Sequence, residues 1–202
     1  MVIGVPREIK IHEYRVAMTP EGASELISDG HRVVVEESAG EGSGYADSEY
    51  KSAGAEVADR KKLFNESELI IKVKEPNSEE YGLLREGQAL FTFLHLAPNK
   101  PLTDLLLQKK VFSLGYETLE EGGRLPLLTP MSEIAGRMAP IMASYYLQKA
   151  RGGSGILPTG VPGVGAARIT IIGAGVVGTN AARVANALGM DVTVLNRGID
   201  RL

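Results

Sequence analysis

The 202-residue chain carries 22 basic and 25 acidic residues for a net charge of −3, is 44% hydrophobic, and contains neither cysteine nor tryptophan. This balance offers no basic field for a polyanion, which excludes nucleic acid as a main partner, and the lack of thiols excludes a disulfide framework, a zinc–cysteine site and a cysteine nucleophile. The N-terminal apolar run is too short for a signal peptide and no later segment approaches about 18 uninterrupted apolar residues, so a soluble, cytoplasmic protein with no membrane contact is expected.

In chain order, short apolar runs alternate with helix-like segments, the pattern of a parallel sheet with helices on its faces. The runs are VIGVP (2–6), RVVVEE (32–37), AEVA (55–58), ELIIKVK (68–74), QALFTFL (88–94) and VFSLGYE (111–117). Thr19-Pro20 predicts a helix start and Gly30 its stop. NKPLTDLLLQKK (99–110) predicts an amphipathic helix with lysines in its last turn.

The turn-rich EEGGRLPLLTP (120–130) marks a domain boundary, giving a Rossmann-like unit over 1–126 and a second unit over 127–202. A helical pattern then runs from about Met131 to Ala150, with Pro140 expected to kink it or divide it in two. Its apolar segment MASYYL (142–147) reads as core rather than interface. The glycine- and proline-rich stretch 151–168 is a loop.

The chain closes on ITIIGAGVVGTNAARVANALGMDVTVLNRGIDRL (169–202), a strand, a glycine turn, a helix and a second strand. Gly173, Gly175 and Gly178 fit G-x-G-x-x-G in that context, which predicts a dinucleotide pyrophosphate on the helix N-terminus. A carboxylate commonly closes the second strand and binds the adenosine ribose of NAD, whereas Asn196-Arg197 stands here, which predicts relaxed or NADP-leaning cofactor choice. The plainer alternative is a surface loop with no cofactor contact.

Ligands of open α/β sheets bind outside the carboxyl ends of the strands. Arg15 follows the first strand, Lys72 and Lys74 end the fourth on one face, His95 follows the fifth and Glu117 ends the sixth. Arginine and lysine suit a small carboxylate, and histidine can move a proton near neutral pH. No metal-ligand pattern accompanies them.

The motifs IGVPREIK, EYRVAMTP, AGEGSGYAD, IIKVKEP, LFTFLHLA, LPLLTPMSEIAGRMAP and GVPGV, with the glycine turn, occur here in the order of one family. The chain resembles the alanine dehydrogenase family, which shares its fold with the transhydrogenase α subunit, over essentially all of its length. The resemblance implies NAD-linked oxidative deamination of L-alanine to pyruvate and ammonia, and a homo-oligomer, a hexamer in the family. It implies that Arg15 and Lys74 bind substrate, that His95 is the proton donor and acceptor, and that Met131 lines the substrate pocket. Ser132, Val176, Val177, Asn196 and Arg201 would contact the cofactor, and Lys72 would be structural. It also implies an aspartate from beyond residue 202, so the chain is expected to be truncated within the cofactor domain and to have little or no activity alone. The alternatives are a transhydrogenase α-subunit segment and a non-catalytic nucleotide-binding remnant; the histidine of FLHLA and the lysine of KVKEP favour the amino-acid enzyme.

Overall fold

A computed structural model describes residues 1–199 and divides the chain into two compact units, Met1–Leu119 and Glu120–Leu202. The division falls earlier in the chain than the expected residue 126. Arg201 lies outside the described residues.

The first unit is a six-stranded parallel sheet. Its strands are β1 (Val2–Val5), β2 (Arg32–Glu36), β3 (Glu56–Ala58), β4 (Leu69–Ile71), β5 (Ala89–Thr92) and β6 (Phe112–Gly115), in the order β3-β2-β1-β4-β5-β6. All five neighbouring pairs are parallel. The order reverses between β1 and β4, and an open sheet leaves a crevice beyond the strand ends at such a point. Successive side chains alternate between faces. Val34, Ile70 and Leu90 therefore pack with Leu63, Phe64, Leu102 and Leu106 on one side, while Ile3, Val5, Val33 and Val35 pack with Met18, Ala23 and Tyr50 on the other. Burial on both faces explains why these strands read as unbroken apolar runs.

Four helices connect the strands: α1 (Pro20–Ser28), α2 (Asp47–Ser52), α3 (Arg60–Glu66) and α4 (Lys100–Gln108). Thr19 caps α1 by accepting from the Gly22 amide, and Asn99 caps α4 by accepting from the Leu102 amide. The lysines expected in the last turn of α4 lie just beyond it. Lys109 donates to the Tyr81 and Leu84 carbonyls at 2.7 and 2.5 Å, tying the helix end to the 81–84 segment, and Lys110 takes a left-handed conformation at φ 51°.

The second unit begins with α5 (Thr129–Tyr146), followed by the parallel pair β7 (Arg168–Ile172) and β8 (Asp191–Leu195) joined by α6 (Val176–Ala187). Pro140 does not divide α5: it lies buried within one continuous helix. The helix α5 buries Gly136 and Pro140 and packs on α6, where a Cβ on Gly136 would come within 2.3 Å of the Val177 carbonyl oxygen. Its other face corrects the expectation that MASYYL is core, because Ile141, Met142, Tyr145 and Tyr146 are exposed. The contact with α6 uses small residues on a narrow stripe, which leaves the large apolar side chains on the opposite side. Among the described residues no helix is long and apolar enough to cross a membrane.

Candidate active site

In the first unit, four strand ends bring ionisable groups to one edge of the sheet. After β1, Glu8 turns inward and is buried. Its Oε1 accepts from the Val73 and Lys74 amides at 2.6 and 3.3 Å, and its Oε2 lies 3.3 Å from the Lys72 Nζ. Lys72 also reaches Glu80 at 2.8 Å, and the side chains of all three are almost wholly excluded from solvent. Burial pushes the Glu8 carboxyl above its ordinary value, against the pull of the Lys72 ammonium and the two amides, and the Glu80 charge adds to the rise.

The sequence expectation placed Lys72 and Lys74 on one face of β4. Regular β4 instead ends at Ile71, although the Lys72 amide still donates to the Phe91 carbonyl at 3.1 Å. Beyond it the Glu8 carboxylate takes the next amides, so Lys72 points into the protein while Lys74 remains partly exposed.

Arg15 forms a two-point ion pair with Glu13, Nε to Oε1 at 2.8 Å and Nη2 to Oε2 at 2.6 Å. The bonded guanidinium holds the Glu13 carboxyl below its ordinary value, and the Lys74 charge contributes to that lowering. Glu13 in turn raises Arg15, with a smaller contribution from Glu8. An open hollow of about 450 Å³ beside them is lined by Arg7, Glu8, Glu13, Arg15, Ser38 and Glu41 among others, and neither Lys74 nor His95 belongs to its lining.

His95 follows β5 in a left-handed conformation, φ 47°, unusual for a residue with a Cβ. Its amide donates to Glu117 Oε1 at 2.9 Å, and the Leu94 amide donates to the same carboxylate at 3.1 Å. Burial pushes the Glu117 carboxyl up, but its own amide, those of His95 and Leu94, and the nearby imidazole together hold it below the ordinary value. Glu117 thus braces the backbone. The exposed imidazole stacks near Phe93, centroids 6.3 Å apart at 27°, and Phe93 meets Tyr116 edge-on at 5.1 Å. Tyr116 in turn feels the charge of Glu8, and burial pushes its hydroxyl well above the usual range.

In the second unit the glycine turn has the local geometry a pyrophosphate needs. Gly173 adopts φ 105° and its amide donates to the Leu195 carbonyl at 2.7 Å. A Cβ at Gly178 would lie 1.8 Å from the Gly173 carbonyl oxygen, so only glycine lets α6 start this close to the strand. Gly175 caps α6 with no side-chain partner, and a Cβ there would enter open space, leaving the backbone approachable. Beside it a groove of about 670 Å³ is lined by Arg124, Leu128, Ser132, Ala174, Gly175 and Val176 among others. Ser132 shares that groove with the turn, Met131 lines no part of it, and Val176 and Val177 are exposed on the first helical turn. The donors and open backbone fit a dinucleotide diphosphate.

The Asn196 side chain is committed to the backbone. Its Oδ1 accepts from the Ala174 amide at 3.2 Å and its Nδ2 donates to the Gly198 carbonyl at 2.7 Å. Aspartate could replace the first bond but not the second, having no donor.

Residues 4–135 match the alanine dehydrogenase/PNT N-terminal domain, and residues 139–202 match the alanine dehydrogenase/PNT C-terminal domain. The chain belongs to the alanine dehydrogenase/PNT family. It is 56% identical to the alanine dehydrogenase of Bacillus subtilis strain 168 and 50% identical to that of Mycobacterium tuberculosis strain H37Rv. Each alignment covers 100% of this chain but only 53% and 55% of the relative. A solved L-alanine dehydrogenase matches with a TM-score of 0.94 at 44% identity, covering 100% of this chain and 56% of the other. The transhydrogenase from Sinorhizobium meliloti is lower on both measures, with a TM-score of 0.85 and 26% identity over 100% of this chain and 58% of the other. The chain spans about half the length of the curated relatives it matches.

Within this alanine dehydrogenase/PNT chain, sequence reasoning missed Glu8, Glu13 and Glu80. The strand-end rule could have singled out Glu8, which follows β1 in PREIK as Lys74 follows β4 in KVKEP. A lysine adjoining a buried strand also calls for a carboxylate partner.

Proposed function

We propose that this chain forms the substrate-binding unit and the glycine-turn part of the cofactor unit of an alanine dehydrogenase, converting L-alanine reversibly to pyruvate and ammonia with NAD. The observation that carries this reading is that the loops after the neighbouring strands β1, β4 and β5, beside the point where the strand order reverses, carry Arg15, Lys74 and His95. In this reading Arg15 grips the substrate carboxylate, Lys74 polarises the carbonyl oxygen of pyruvate, and His95 moves a proton to and from that oxygen. Met131 lines the substrate pocket. NAD, when bound, supplies hydride acceptance at the substrate Cα. Ser132, Gly173, Gly175, Val176, Val177 and Gly178 hold its diphosphate region, and Asn196 adjoins the adenosine half. An exposed imidazole and a partly exposed lysine at neighbouring strand ends favour amino-acid chemistry over exchange between two nicotinamides.

Binding tests the substrate assignment independently of turnover. Pyruvate affinity measured by calorimetry on the 202-residue chain falls about tenfold or more in Arg15→Ala and Lys74→Ala, while NAD affinity is unchanged. Equal pyruvate affinity in all three proteins contradicts the reading.

NADP is accepted beside NAD. Asn196 brings no negative charge against a 2′-phosphate and Arg197 stands exposed next to it. Asn196→Asp shifts the ratio of affinities toward NAD; the same NAD preference in both proteins ends this part of the proposal. The apolar stripe on α5 supports a homo-oligomer, which light scattering reads directly.

A further inference from the structure

Segment 72–77 has no regular secondary structure, yet two buried carboxylates hold it from both ends. Glu8 takes the amides of Val73 and Lys74, and Glu80 Oε2 takes the amide of Asn77 at 3.2 Å. Lys72 joins the two, 3.3 Å from Glu8 and 2.8 Å from Glu80, with a side chain only 1% exposed. An ammonium so placed cannot meet a ligand in solvent, and a buried charge is tolerated only when paired. Its position suits it to hold two carboxylates against the backbone that carries Lys74.

We propose that Glu8 is a positioning residue for Lys74: gripping the Val73 and Lys74 amides, with Lys72 and Glu80 behind it, it fixes the turn that presents the Lys74 ammonium to a small 2-oxo acid. The proposal rests on the reading that Lys74 binds the substrate carbonyl. Lys74 has a flexible four-carbon stem, so anchoring its backbone lowers the ordering cost of each binding event. Glu8 acts on substrate binding mainly through position 74, its carboxylate being committed to the Val73 and Lys74 amides and to Lys72.

A double-mutant cycle on the 202-residue chain, with pyruvate as the probe, tests this. Glu8→Asp keeps the charge beside Lys72 but draws the carboxylate back by one methylene from the two amides. It is expected to lower pyruvate affinity about tenfold when Lys74 is present and to have little further effect in Lys74→Ala. Glu8→Gln keeps an oxygen acceptor for the amides and is expected to stay close to the parent affinity. A Glu8→Asp loss of equal size in both backgrounds, or no loss in either, overturns the proposal. Unchanged pyruvate affinity in Lys74→Ala alone instead strikes the parent reading, so the two failures are distinguishable.

Discussion

The two units solve the same problem, placing chemistry at the ends of parallel strands, with different amounts of support. The first has six strands covered on both faces, and carboxylates from other strand ends hold its backbone at two of them: buried Glu8 takes the Val73 and Lys74 amides and half-buried Glu117 takes the Leu94 and His95 amides. The second has two strands whose residues alternate between exposed and half-buried, with Ile172 87% exposed. Its site is built almost entirely from local geometry: a glycine turn, a helix start and one asparagine. A site made of non-local ion pairs should fail when a distant partner is lost, whereas a site made of a turn should fail only when the turn is changed.

The largest effect that would sharpen this contrast is expected from Lys72→Met. It strands Glu8 and Glu80 without their shared cation, and breaking a buried pair costs about 3–5 kcal/mol. Denaturant unfolding should show that loss near neutral pH. Lys72 is the largest of the influences that pull the Glu8 carboxyl down against burial, so the variant's deficit should shrink as pH falls and Glu8 takes up a proton. A deficit that grows on acidification would break the account of this cluster.

Next comes Gly178→Ala, where the new Cβ would lie 1.8 Å from the Gly173 carbonyl oxygen. Overpacking of this kind costs about 1–3 kcal/mol. Amide exchange should quicken in β7, α6 and β8 and NAD affinity should fall, while pyruvate affinity holds.

A smaller effect separates strain with a task from strain without one. His95 and Lys110 both adopt left-handed backbone, at φ 47° and 51°. Lys110 merely follows the end of α4 and pairs with Glu86 in solvent. Lys110→Gly should therefore stabilise the protein by about 0.5 kcal/mol, read as a raised thermal midpoint, with pyruvate affinity unchanged. His95→Asn relieves similar strain and should raise the thermal midpoint likewise while removing the imidazole proposed to move the proton.

The smallest effect concerns Glu13. Its carboxyl is held low by Arg15, so its contribution to stability is fully present above the ordinary carboxylate value and is lost as pH falls through the lowered one. Glu13→Gln should remove that part of the acid-side loss, a few tenths of a kcal/mol, about 0.2–0.5, because the Arg15 side chain is 45% exposed and solvent screens the pair. An acid limb of identical slope in both proteins would remove Glu13 from the electrostatic account.

Much of this arrangement is legible in the sequence, and the division follows physical range. All six strands of the first sheet announce themselves as apolar runs because both faces are buried, and Thr19, Asn99 and the glycine turn act within a few residues of themselves. The places of Lys74 and His95, just after β4 and β5, are likewise legible from the apolar runs that precede them. The inward turn of Lys72 is not, because it depends on Glu8 arriving from β1, a pairing that no local pattern encodes. Glu117 reads as a ligand-facing group but serves the Leu94 and His95 amides, since a left-handed residue after a strand leaves amides in need of an acceptor. The exposed face of α5 was equally hidden: apolar content marks a helix as able to be buried, and only packing decides which stripe is.

The most direct test of the central claim is an amide and side-chain NMR titration of the 202-residue chain with pyruvate. The account predicts that shifts concentrate at Arg15, Lys74 and His95, with Gly173–Gly178 silent until NAD is added. Shifts that avoid those three residues, or no saturable shifts at all, would contradict it.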